Sequence, residues 1–128
     1  MIITKGDLFD QETKIARSGL ADYFDIIEVV SEKDTLTYQN LLNKYAIDTD
    51  GFLMIGNSLK SDIIPICELG GQAIHVPFHT TWEHEIVSKQ DAAGHQYYTL
   101  SSIQELNLCI QKIEQVRQNA LTTSYDTE

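Results

Sequence analysis

Short apolar runs, each closed by a polar residue or a glycine, alternate along this chain with segments whose apolar positions recur every three to four residues. Ile2–Thr4 reads as a short buried strand, after which Gly6-Asp7 breaks into a helix that runs to about Ser18 and closes on Gly19. Phe24–Val30, rich in Ile and Val, is a second strand, although Glu28 interrupts it. Ser31 and Asp34 bracket the start of a helix whose apolar face is Tyr38, Leu41, Leu42 and Tyr45. Phe52–Ile55 is the clearest buried strand, and the helix after it begins near Asp62, with Pro65 tolerable only in its first turn. Gly70-Gly71 ends that helix, and Ala73–Val76 is the next strand, stopped by Pro77. Phe78–Gly94 reads as a polar loop region around Trp82, and Tyr97–Leu100 as an edge strand. A last helix starts near Ser102, with Ile103, Leu106, Ile110, Ile113 and Val116 at helical spacing; Leu121–Glu128 should fray. Strands alternating with helices on short connections predict an α/β fold with a mostly parallel sheet and right-handed crossovers.

Composition narrows the partners. A chain of 128 residues with 42% apolar and 22% charged side chains is one ordinary globular domain. Its net charge of −10 repels nucleic acid and anionic membrane, and no apolar run approaches the ~20 residues of a membrane span, so neither partner is expected. The same field repels a phosphate ester, so a phosphate site needs local cations, and Lys5, Lys33 and Lys60 are placed to supply them. Cys67 and Cys109 sit singly in apolar helical stretches and read as reduced core residues of a cytoplasmic protein; the N-terminus shows no signal region.

The candidate chemistry lies where strands end, because an open parallel sheet binds its ligands outside the carboxyl ends of its strands. Thr4 closes the first strand, Lys33 follows the second, and the stretch Gly56-Asn57-Ser58-Leu59-Lys60-Ser61-Asp62 follows the third. A hydroxyl at Thr4 can donate to a phosphoryl oxygen, and a fixed cation at Lys33 can offset the charge spread over a transferred phosphoryl group. Asp62 heads a helix, where it can serve as a cap, a metal ligand or both.

Taken in order, these residues resemble the last three of the four signature motifs of the haloacid-dehalogenase-like (HAD) hydrolases, mostly magnesium-dependent phosphatases. The resemblance implies a HAD-like Rossmannoid three-layer fold over residues 1–120. It implies phosphate-binding and charge-stabilising roles for Thr4 and Lys33, and metal ligation by Asp62 and Asn57. Two positions depart from the family pattern: Asn57 stands where the first carboxylate of the last motif is usual, and Asp34 where proline often follows the lysine. The first motif, a strand ending in D-x-D whose leading aspartate is the nucleophile, is absent. Asp48-Thr49-Asp50-Gly51 spells similar letters, but it precedes its strand and reads as a turn at the opposite edge of the sheet. The histidines His75, His79, His84 and His95 do not fall on one helix face and predict no zinc site.

The resemblance therefore leads us to expect the C-terminal part of a HAD core, truncated or vestigial, inactive alone and binding magnesium only weakly. Its ligand would be a phosphorylated small molecule. An alternative is a binding or assembly module that forms a homo-oligomer or pairs with a complementing chain through exposed central strand edges; a flavodoxin-like domain with chance motif matches is a third. With the motif-one strand absent from between them, Ile2–Thr4 and Phe52–Ile55 are expected to pair directly or to admit a strand from another copy.

Overall fold

The computed structural model describes residues 1–77 and 96–126, with side chains as far as Leu121. The expected loop over 78–94, and with it His79, His84 and His95, lies outside them.

Strand β1 (Ile2–Lys5) leads through α1 (Leu8–Ser18) to β2 (Ile27–Val30), and the two strands pair in parallel, Ile2 opposite Ile27 and Lys5 opposite Val30. Asp7 caps α1 by accepting from the Asp10 amide, and Gly19 closes it at a φ of 74°, a left-handed turn that glycine adopts without cost. Helix α2 (Thr35–Lys44) follows. Its cap is Asp34, whose carboxylate accepts from the Thr37 amide at 2.8 Å; that bond holds the Asp34 carboxyl below the usual range. A capping carboxylate thus starts α2 at the position where the resemblance leads us to expect proline.

Strand β3 (Leu53–Gly56) pairs in parallel with β4 (Gln72–His75), and β4 with β5 (Tyr98–Thr99). Between β3 and β4 the chain makes a wide, π-type turn over Leu59–Ile63 and a short helix α3 (Ile64–Glu68) with Pro65 in its first turn. The last helix, α4, runs from Leu106 to Asp126, past the position where fraying is expected to begin. The edge strand is only two residues long, shorter than the apolar run 97–100 implied, because pairing reaches only Ile74–Tyr98 and His75–Thr99.

Side chains alternate across the second sheet. Met54 and Ala73 join Val30, Tyr38, Leu41, Ile63 and Ile66 under α2 and α3, while Ile74 packs with Leu100, Cys109 and Ile113 under α4. The result is three layers, as the family resemblance implies, with parallel pairing throughout the described strands.

One expectation fails. β1 and β3 do not pair: the described strands form two separate sheets, β1-β2 and β3-β4-β5, with no described strand between them. Direct pairing would slide β1 out of the place that β2 and the shared core fix for it. Ile3 packs on the cluster that holds Val30 and Met54, and four consecutive β1 residues are in register with β2. What remains is a slot with a cavity of about 670 Å³, walled by Met1, Ile2 and Ile3 on one side and by residues 51–57 on the other.

Candidate active site

Lys33 leaves the end of β2 just before the Asp34 cap, and its ammonium reaches across 29 positions of sequence to donate to Asp62 Oδ1 at 2.7 Å. The other carboxylate oxygen, Oδ2, accepts from the Ser58 amide at 3.2 Å. Asp62 is 4% exposed, and its burial is tolerable because both oxygens are partnered by donors. Neither Lys33 nor Asp62 is therefore a surface charge; both line the slot between the sheets, together with Asn57.

The local sequence builds this placement. Ser58 accepts the Ser61 amide on its hydroxyl and both the Asp62 and Ile63 amides on its carbonyl, a four- and five-residue reach that widens the first turn. The widened turn folds Asp62 back over the end of β3. Gly56 makes room for it: a Cβ there would collide with the Asp62 carboxylate. From α2, the Tyr38 hydroxyl donates to the Ser61 carbonyl at 2.7 Å. Burial first, then the Asp62 and Asp34 carboxylates, push the Tyr38 hydroxyl well above its ordinary range, so it remains a protonated donor.

The four residues singled out by sequence fare differently. Lys33, Asp62 and Asn57 share the slot. Asn57 uses its backbone carbonyl to accept from His75 Nε2 at 3.1 Å, which ties the end of β3 to the end of β4. Thr4 lies one residue inside the end of β1, its hydroxyl is turned to Gln11 Oε1 of α1, 2.9 Å away, and it does not line the slot. Asp48 and Asp50 belong to the turn that enters β3, the edge away from Lys33 and Asp62, as their place in sequence implied. Sequence reasoning missed Ser58, Gly56, Tyr38 and Gln11 as builders of the site, and weighed His75 only as a metal ligand. The readable signals were a glycine at a strand end and a proline four residues past Ser61.

A divalent cation does not fit the described residues by themselves. No group of three or more His, Cys, Asp or Glu side chains converges among them, and the one buried carboxylate is already neutralised by an ammonium. No helix among the described residues is long and apolar enough to cross a membrane.

No family model matches the chain. It is 31% identical over 111 residues to the pyrimidine 5'-nucleotidase YjjG of Escherichia coli K12, an alignment spanning 82% of this chain and 46% of that protein. A haloacid dehalogenase-like family hydrolase from Xanthomonas campestris superposes with a TM-score of 0.59 at 47% identity, covering 72% of this chain and 41% of that one. An uncharacterised protein from Listeria monocytogenes serotype 4b superposes at 0.63 with 19% identity over 82% of this chain and 64% of that one, a likeness of fold alone. The chain spans less than half the length of the curated relative it matches.

Proposed function

Because the chain belongs to the haloacid-dehalogenase-like hydrolase family, we propose that these residues form the charge-neutralising part of a phosphohydrolase core. They are not competent by themselves. The observation that carries this is the Lys33–Asp62 pair at the mouth of an open slot between two parallel edges. Lys33 is the cation that would meet a phosphoryl group, and Asp62 holds it there. Among the described residues, Asp62 is the one carboxylate that lines the slot, and it is paired with Lys33. The nucleophile would enter on a strand from outside the described residues. Thr4 would join the phosphate-binding set only after leaving Gln11. Magnesium, implied by the family resemblance, would draw most of its ligands from that strand; with Asp62 and Asn57 alone it should bind in the millimolar range or weaker, roughly −4 kcal/mol or less favourable. The substrate class is a phosphorylated small molecule.

The slot supports a second reading, an assembly module whose free edges take up an extended strand in parallel without chemistry. One experiment separates the two: the 128-residue chain is assayed on an aryl phosphate with magnesium, alone and with a synthetic apolar strand ending in D-x-D. Turnover only with the strand supports the phosphohydrolase core, and tight strand binding without turnover supports the assembly module. Turnover by the chain alone that vanishes in Asp62→Ala overturns the claim that it is incompetent, and absence of strand binding removes both readings.

A further inference from the structure

The wide turn that carries Asp62 has a weak point in its backbone. An α-helical bond to the Ser61 carbonyl would come from the amide four residues on, and here that residue is Pro65, which has no N–H to give. A donor comes from another element. Tyr38, on α2 and 1% exposed, places its hydroxyl 2.7 Å from that carbonyl. The Ser61 amide is held as well, by the Ser58 hydroxyl at 3.1 Å, so the residue before Asp62 is gripped at both its N–H and its C=O.

We propose that Tyr38 and Pro65 work as a pair that sets this turn: Pro65 withholds the helical donor, and the Tyr38 hydroxyl replaces it from the side, fixing where the Asp62 carboxylate sits. Without the hydroxyl, the part-buried carbonyl would seek a donor elsewhere and the turn would tighten or shift. Asp62 would then lose its approach over Gly56 to the Ser58 amide and to Lys33. Tyr38 touches neither the slot nor a substrate position, so its part is that of a positioning residue. The bearing of this pair on catalysis rests on the reading of Asp62 and Lys33 given above; the geometric claim does not, and its test needs no turnover.

The Ser58 amide reports directly on Asp62, because that carboxylate is its acceptor. Tyr38→Phe keeps the ring and removes only the hydroxyl. The amide shift and hydrogen-exchange protection of Ser58 are compared with those of Met54, in the neighbouring strand, for the unmodified chain, Tyr38→Phe, Pro65→Ala and the double variant. Tyr38→Phe should lower Ser58 protection by about tenfold relative to Met54 and move its amide proton upfield. Pro65→Ala restores an N–H opposite Ser61, so in that background the loss of the hydroxyl should change Ser58 protection by less than about twofold. An unmoved Ser58 amide in Tyr38→Phe overturns the proposal. So does a loss shared equally by Ser58 and Met54, or a loss as large in the Pro65→Ala background as in the chain that keeps Pro65.

Discussion

The two sheets of this chain share a strand direction and little else. In β3-β4-β5 both faces are covered, and Ile63, Ile66 and Ile74 are almost fully withdrawn from water, each contributing roughly 1.5–3 kcal/mol relative to an exposed side chain. In β1-β2 the only buried residue is Val30, and α1 buries none at all while Phe9 is 76% exposed. A two-stranded sheet is marginal alone. The first sheet is held instead by tethers to the second half: Ile3 and Val30 in the common core, Lys33 on Asp62, and Glu28 bound by Lys44 and Tyr45 at the end of α2. The half that would offer Thr4 to a phosphate is thus the half least able to hold its own shape.

The largest effects should separate the halves. Ile66→Ala is expected to cost roughly 2–5 kcal/mol in urea unfolding, whereas Phe9→Ser should stay within about 0.5 kcal/mol. Comparable losses at both positions would mean that α1 is packed far better than its exposure indicates. Next comes the tether itself. Lys33→Met leaves the Asp62 charge buried without its partner and should cost about 3 kcal/mol, most of it recovered when Asp62→Asn is added, since that removes the stranded charge. Full loss in the double variant would show that Lys33 acts through packing instead.

Gly56→Ala should cost roughly 1–3 kcal/mol, because the new methyl occupies the space of the Asp62 carboxylate and must push it off the strand end. Unchanged stability together with an unmoved Ser58 amide resonance would contradict the close approach. The smallest effect is in pH. The Lys44 hydrogen bond, with a second from Tyr45, holds the Glu28 carboxyl below its ordinary value of 4.5. A carboxyl depressed in the folded state stabilises fully above that value, and the stabilisation fades as pH falls through the lower, folded one. Glu28→Gln should therefore flatten the acid limb of the urea midpoint below about pH 4.5 and reduce the midpoint above it. An unaltered pH profile would show that this tether carries no weight.

Much of the second sheet could be read in advance because its information is local. Phe52–Ile55 and Ala73–Val76 are apolar runs bounded by glycine and proline, and the structure puts strands at Leu53–Gly56 and Gln72–His75, shifted by a single residue. The order Thr4, Lys33, Asp62 was legible as a series. The bond that joins the last two was not, because it closes a span of 29 residues that no periodicity reports. Thr4 shows the limit from the other side: its type and place fit the motif, yet its hydroxyl is spent on Gln11 of α1, a contact that the strand's own sequence does not report.

By itself the sequence determined the element order, the α/β class, a resemblance to the family, and which strand ends would carry hydroxyl, cation and carboxylate; these follow from local apolar spacing and from motif residues met in order. Tertiary structure alone decided three things. β1 stays with β2 because Ile3 and Val30 are anchored in a core made mostly by other elements. The slot lies between two walls, with Ile3 on one and Met54 on the other, that share a single core cluster. Asp62 faces Lys33 because a glycine, a proline and a distant tyrosine together shape one turn. Each depends on which surfaces meet, and burial, unlike periodicity, is a property of the whole chain.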